Sequence, residues 1–150
     1  MNLLGKVPDV AKVGHCTRAW TDPHRTNWAG TGPRPLLTEV WYPAPDTVVE
    51  RDIDIGPPGQ PLYTVGKAAR DAELVDTAPH FPCLLLSHGT GGSALQLGWL
   101  GTALAAQGYI VASVNHHGNT SVEPYTAQSF CLFWERAQDL SAVLDHLFAG

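Results

Sequence analysis

Long apolar runs and cysteines are scarce in this sequence. No apolar run approaches the roughly 20 residues that a membrane-spanning helix needs. Residues 1–14 mix Lys6, Asp9 and Lys12 among apolar residues and lack the apolar core and cleavage site of a signal peptide. Three cysteines with no C-x-x-C pair are too few and too scattered for a disulfide framework. We therefore expect reduced thiols, no membrane partner and a cytoplasmic protein.

The sequence is also poor in charge. Charged residues make up 15% of the 150 residues, hydrophobic residues make up 44%, and the net charge is -5. This balance is typical of a globular protein and excludes a disordered tail or a basic nucleic-acid binder, so no nucleic-acid partner is expected. The 15 glycines and 12 prolines fit a loop-rich α/β protein better than a helical bundle.

The first half of the chain shows strand patterns followed by a long connection. Residues 13–20 and 36–42 are rich in β-branched and aromatic residues, and they predict two antiparallel strands. Residues 44–80 look irregular, with the clearest turn at 56–59 and at most a short helix at 66–76.

The second half predicts alternating strands and helices. The apolar runs 82–87 and 109–114 have the character of buried parallel strands, and helices are expected over 94–107 and near 130–148. Gly108 stands where a left-handed residue would end the first helix. The residues assigned to the apolar helix faces are Leu97, Leu100, Ala103 and Leu104, then Phe133, Ala137, Leu140, Leu144 and Leu147. An antiparallel strand pair followed by β-α-β-α predicts an α/β fold with a mixed sheet.

A glycine-rich loop, Ser87 to Ser93, lies between the first buried strand and the first helix. Its glycines allow a sharp turn and leave the amide N–H groups unobstructed. Such amides can stabilise the oxyanion of an acyl-transfer intermediate, each worth roughly 3 kcal/mol of barrier. The amide of Thr90 is the natural donor, because Gly89 and Gly91 free it to point into a site.

Three segments together resemble a known family. PCLLLSHGTGGSALQLGWLGTALAAQGYIVASVNHHGNT (82–120), RPLLTEVWYPA (34–44) and the later helix with Trp134, Arg136, Asp139, Leu144 and Asp145 are similar to α/β-hydrolases of the predicted dienelactone hydrolase and platelet-activating-factor acetylhydrolase-like group. The resemblance implies a serine hydrolase of small ester or acyl substrates with no cofactor and no metal. It also implies that Thr90 is the oxyanion-hole amide, supported by His88, Gly89, Gly91 and Gly92.

The resemblance further implies a Ser-His-Asp triad whose serine lies on a G-x-S-x-G elbow. No such motif occurs in residues 1–150. The chain is therefore expected to be a partial α/β-hydrolase domain that stops before the elbow, without nucleophile, acid or base, and inactive by itself. The alternative is a noncatalytic fragment that assembles with a partner. Leu84 to Leu86 would then form an open apolar sheet edge, so the isolated chain is expected to self-associate.

Two other hypotheses concern ligands at the same loop. Residues 89–94 match the G-x-G-x-x-A form of a dinucleotide-binding loop, although a purely structural turn fits the glycines as well. His88, His116 and His117 raise the question of a metal site. Because both buried strands end on the same side of the sheet, His88 and His116 are expected to lie close together. Hydrogen bonding to loop backbone is the favoured role for these histidines.

Several further residues receive ordinary structural roles. Ser87 and Ser93 are not expected to be nucleophiles, and Ser93 is interpreted as the cap of the following helix. The remaining assignments are Cys83 and Cys131 as small core residues, Trp99 and Trp134 as packing residues, and Asp139 and Asp145 as solvent-facing or loop-anchoring residues.

Overall fold

The structure is a computed structural model that describes residues 11–76 and 80–149. Residues 1–10, part of the segment interpreted as lacking a signal peptide, and residues 77–79, part of the segment interpreted as irregular, lie outside the described residues. The strands are β1 (Lys12–Thr26), β2 (Pro33–Ala44), β3 (Arg51–Ile55), β4 (Tyr63–Arg70), β5 (Cys83–Ser87) and β6 (Ile110–Val114). The helices are α1 (Gly98–Ala105), preceded by a 3-10 turn at Ala94–Leu97, α2 (Ala127–Cys131) and α3 (Glu135–Ala149). Of the helices described, none has both the length and the apolar character needed to cross a bilayer.

The strands form one mixed sheet in the order β3-β4-β1-β2-β6-β5. β1 and β4 are parallel, with Gly14 opposite Ala69, whereas β3 and β4 are antiparallel. β5 stands last in the order, and all its apolar residues are half-buried rather than buried on both faces. The predicted α/β fold with a mixed sheet is confirmed.

The connection between β2 and β5 contains two strands that the sequence analysis did not predict. β3 and β4 form an antiparallel pair, with a register shift between Asp52 and Asp54 and a turn at residues 56–62. The proposed helix at 66–76 is wrong, because residues 66–70 belong to β4. β3 alternates aspartates with half-buried isoleucines and β4 buries three apolar residues, so each strand has an apolar pattern, but a short one.

The chain divides into two compact units, which are described separately. The first unit comprises Met1–Cys16, Trp41–Leu84 and Gly98–Val111. Within it α1 packs on β4 through small residues: Gly98, Gly101 and Ala105 are buried, whereas the leucines assigned to this face are half-buried. A Cβ atom on Gly101 would lie 2.5 Å from ring carbons of Trp41, which is completely buried. Close contact between the helix and this indole therefore requires glycine.

The end of α1 follows the prediction. Gly108 has φ of 92°, its amide donates to the Ala105 carbonyl, and the Tyr109 amide donates to the Leu104 carbonyl. These two bonds constitute a Schellman motif, in which a left-handed residue satisfies the last carbonyls of a helix. The glycine thus turns the chain directly from α1 toward β6.

The second unit comprises Thr17–Val40, Leu85–Leu97 and Ala112–Gly150. The single helix predicted near 130–148 is two helices, because α2 ends at Cys131 before α3 starts at Glu135. The buried face of α3 is formed by Asp139 and Val143, whereas Phe133 lies outside the helix and is 67% exposed. A charged residue at the centre of a buried face is the feature that the apolar stripe did not predict.

Candidate active site

The candidate site is the loop that follows β5 in the second unit. Four consecutive amides of this loop donate to protein acceptors: Gly91 to Asn119 Oδ1 (2.7 Å), Gly92 to the Gly89 carbonyl (3.0 Å), Ser93 to Gln96 Oε1 (3.1 Å) and Ala94 to Asn115 Oδ1 (2.9 Å). Gly91 has φ of 69°, a left-handed conformation that glycine adopts without strain. These bonds give the loop a fixed backbone conformation.

Thr90 is the exception among these amides. The residue is exposed, and the described residues place no hydrogen-bond acceptor on its N–H group. Tyr125 braces the adjacent backbone by donating from its hydroxyl to the Gly91 carbonyl at 2.9 Å. The Thr90 amide is therefore unbonded and directly precedes a run of four bonded amides, and the Gly89 amide likewise has no acceptor among the described residues. Because the amides of residues 91–94 are already bonded, the geometry argues against a pyrophosphate cradle, which needs several free N–H groups.

His88 connects this loop to the chain segment at His116 through hydrogen bonds at both of its ring nitrogens. The residue is 3% exposed, and its Nδ1 lies 2.7 Å from the Gly89 carbonyl oxygen. Its Nε2 accepts a hydrogen bond of 3.1 Å from the His116 amide. Since a carbonyl can only accept, the ring proton resides on Nδ1. Burial lowers the pKa of His88 to about 4 against the opposing effect of its bond to Gly89, so the ring is neutral at pH 7.

A Ser-His-Asp arrangement lies beside the loop. Ser87 Oγ is 2.9 Å from His116 Nε2, and His116 Nδ1 is 2.9 Å from Asp139 Oδ2. His116 is 1% exposed and Asp139 is fully buried, whereas Ser87 at the end of β5 is exposed. Arg136 contacts the His88 carbonyl, and its Nη2 lies 3.3 Å from Ser87 Oγ. A hydroxyl, an imidazole and a carboxylate are thus connected in sequence.

Asp139 is held by two arginines. Arg34 Nε and Nη2 donate to its two carboxylate oxygens at 2.6 and 3.1 Å, and Arg25 Nη2 lies 2.9 Å from Oδ1. Burial alone would raise the pKa of Asp139, but the hydrogen bonds from His116 and Arg34 outweigh it and lower the pKa. The carboxylate is therefore ionised at neutral pH and acts only as an acceptor.

Comparison with known proteins bears on this site. A family model described as platelet-activating factor acetylhydrolase, isoform II matches residues 62–132, which contain the loop. No curated protein matches the chain. A solved structure of a ferulic acid esterase from Streptomyces cinnamoneus matches with a TM-score of 0.70 and 23% identity, covering 94% of this chain and 46% of that one. The chain has the α/β-hydrolase fold. The predicted resemblance to the acetylhydrolase-like group is confirmed, and the chain spans about half the length of the esterase that it matches.

The structure brings several of the predicted site residues together. His88 and His116 are adjacent, as the ends of their strands predicted, with ring centroids 4.9 Å apart. His117 has different partners: its Nδ1 lies 2.7 Å from Glu123 Oε1, and its ring stacks on Trp28. Across residues 11–76 and 80–149 no group of three or more His, Cys, Asp or Glu side chains has a metal-binding arrangement.

Some of the predicted residue assignments are wrong. Of the two roles predicted for Asp139, the solvent-facing one is wrong because the residue is 0% exposed, whereas its bond to His116, in the loop after β6, fits the loop-anchoring one. Trp99 and Trp134, predicted to be packing residues, are 61% and 53% exposed, and Trp134 makes an edge-to-face contact with Phe133. Cys131 is likewise exposed rather than in the core, although Cys83 is half-buried and burial raises the pKa of its thiol.

The link from Ser87 to Asp139 was not predicted from the sequence. The available signal was the position of Ser87 and His116 at the ends of two strands, which are neighbours in the sheet. Arg136 and Asp139 are three residues apart on α3, and both reach this link. Residues three apart lie on the same face of a helix, so this face of α3 is the one that contacts the strand ends.

Proposed function

We propose that this chain is part of a serine hydrolase that cleaves carboxylic esters or related acyl compounds. The observation that supports the proposal is the unbonded amide of exposed Thr90, which directly precedes four bonded amides in the loop after β5. His88, Gly89, Gly91 and Gly92 serve as the loop supports. The similar proteins are named an acetylhydrolase and an esterase, which favours a small ester substrate. Neither a metal nor a cofactor enters the proposed reaction, and a cytoplasmic location remains a prediction.

In the proposed reaction a serine on a G-x-S-x-G elbow attacks the acyl carbon, and negative charge develops on the carbonyl oxygen. The Thr90 N–H donates to that oxygen. A donor fixed in advance needs no reorganisation during the reaction, which is why one such bond lowers the barrier by roughly 3 kcal/mol. Residues 1–150 contain no elbow motif, so this mechanism assigns to them the oxyanion donor and not the nucleophile, acid or base.

The decisive experiment separates the Thr90 amide from its side chain. The coding sequence that follows Gly150 is searched for an elbow motif, and the protein that includes it is assayed with p-nitrophenyl acetate. Thr90→Pro removes the N–H group and is expected to lower kcat by about 100- to 1000-fold. Thr90→Ala keeps the N–H group and is expected to retain most of the activity. Equal losses in both variants, with unchanged circular dichroism, would contradict the oxyanion assignment.

A second candidate function is a noncatalytic chain that assembles with a partner. It is favoured by the position of β5 at the end of the strand order and by its apolar residues Leu84 to Leu86, which are only half-buried. An unpaired apolar edge can accept another strand through its backbone groups.

On this second proposal, the isolated 150-residue chain is expected to self-associate in sedimentation velocity and to show no saturable turnover of p-nitrophenyl acetate. Leu85→Lys places a charge on the edge strand and is expected to shift the chain toward monomer. A wild-type chain that stays monomeric at high micromolar concentration would count against assembly through β5.

A further inference from the structure

We propose that Ser87 is an activated nucleophile within this chain, with His116 as its base and Asp139 as the residue that orients the base. The site would take activated acyl and phosphonyl electrophiles. This serine is not on an elbow motif, so the inference does not depend on the hydrolase nucleophile proposed above.

The direction of the hydrogen bonds places the lone pair of His116 Nε2 toward Ser87. An ionised Asp139 can only accept, so the bond at 2.9 Å requires the proton of His116 to reside on Nδ1. His116 Nε2 then presents its lone pair, and the Ser87 hydroxyl donates to it at 2.9 Å. A serine hydroxyl that donates to a histidine held by an aspartate is the arrangement by which serine nucleophiles are activated.

The charges around His116 keep it in the basic form. Burial lowers its pKa and the positive charges of Arg136 and Arg34 act in the same direction, whereas the bond to Asp139 opposes them. The net direction is downward, so His116 is neutral at pH 7 and able to take a proton. The neighbouring His88 is also neutral at this pH and adds no charge.

A reactive serine must be accessible to its electrophile, whereas the residues that orient it must be held in place. Ser87 is exposed, while its two supports are 1% and 0% exposed and therefore kept in one orientation. Arg136 Nη2, 3.3 Å from Ser87 Oγ, places a positive charge beside the oxygen that gives up its proton, which favours deprotonation of the hydroxyl. The buried ion pair of Asp139 with Arg34 fixes the carboxylate in turn.

With a fluorophosphonate the covalent step is a substitution at phosphorus. Ser87 Oγ forms a bond to phosphorus while its proton passes to His116 Nε2, and the phosphorus–fluorine bond breaks as fluoride leaves. The proton on Nε2 then passes to water. With an activated aryl ester the same attack forms acyl-Ser87 and releases the phenol, which takes the proton. No oxidant, reductant or other co-reactant is needed.

The test is labelling of the 150-residue chain with an alkyl fluorophosphonate, followed by intact mass and peptide mapping. One label on Ser87 is expected, and Ser87→Ala should remove it. His116→Gln should slow labelling by at least about 100-fold, which is the usual effect of removing a general base. Ser141→Ala removes an exposed serine whose hydroxyl donates to the Ala137 carbonyl, and it should change nothing. Labels spread over several serines, or labelling that persists in Ser87→Ala, would overturn the proposal.

A second variant covers the case in which His116→Gln fails to fold. Ser87→Cys leaves His116 and Asp139 intact, and its thiol should react with iodoacetamide well below the usual thiol pKa of about 8.5. The exposed Cys131 in the same molecule is the internal reference thiol. If the thiol at position 87 and the thiol of Cys131 have the same pH profile, His116 does not activate position 87 and the inference fails.

Discussion

Replacement of Asp139 by alanine is expected to lower the free energy of unfolding by about 3–5 kcal/mol. The carboxylate is fully buried and accepts hydrogen bonds from Arg34 and His116, with Arg25 also paired to it. Its removal leaves the guanidinium of Arg34, which is 2% exposed, without its buried counter-charge. An uncompensated buried charge costs far more than the original pair contributes, and the loss is a large part of the 5–15 kcal/mol that stabilises a typical domain.

Urea denaturation followed by circular dichroism measures this effect. Asp145→Ala is the matched control, because Asp145 lies on the same helix and is exposed. That variant should stay within about 0.5 kcal/mol of the wild type, as is usual for surface substitutions. Equal midpoints for the two variants would mean that the ion pair of Asp139 with Arg34 does not stabilise the fold.

Stability is expected to fall steeply as the pH drops from 6.5 to 4. His88 has an ordinary pKa of 6.5 when unfolded and a pKa of about 4 when folded. Between these values the unfolded chain binds a proton that the folded chain does not, so acid favours unfolding. The full effect of this one histidine is about 3 kcal/mol, reached below pH 4. The lowered pKa of His116 acts in the same direction, and the lowered pKa of Asp139 extends the loss to still lower pH.

Thermal or urea midpoints measured across this pH range test the prediction. His88→Gln removes one titrating group, so its midpoint should change less between pH 6.5 and 4 than that of the wild type. His80→Gln replaces an exposed histidine and should reproduce the wild-type slope. A wild-type midpoint that is flat over this range would show that His88 accepts a proton in the folded chain without a penalty.

The sequence predicted those strands and helix ends that are determined by neighbouring residues in the chain. Apolar runs ending in glycine or polar residues located β5 and β6, and Gly108 located the end of α1, where a left-handed residue is required. Both strands end at the loop segments that carry His88 and His116, which is why the proximity of these residues could be predicted from topology. Local patterns of this kind need no knowledge of distant contacts.

Other features depend on long-range contacts that a one-dimensional pattern does not contain. β3 and β4 have only short apolar patterns, and their strand conformation is stabilised by pairing with each other and, for β4, by pairing with β1. Asp139 is buried because Arg34, 105 residues earlier in the chain, supplies its counter-charge. The role of Ser87 was missed for the same reason, since its link to Asp139 passes through His116 on another strand end.

The tryptophans described above provide natural optical probes of this molecule. In the first unit Trp41 is fully buried and stacks on His15 with ring centroids 5.3 Å apart. In the second unit Trp28 lies under the guanidinium of Arg34, whose Cζ is 4.7 Å from the ring centroid. Chains that retain only one of these indoles would report, through emission wavelength and quenching, which of the two units loses its packing first.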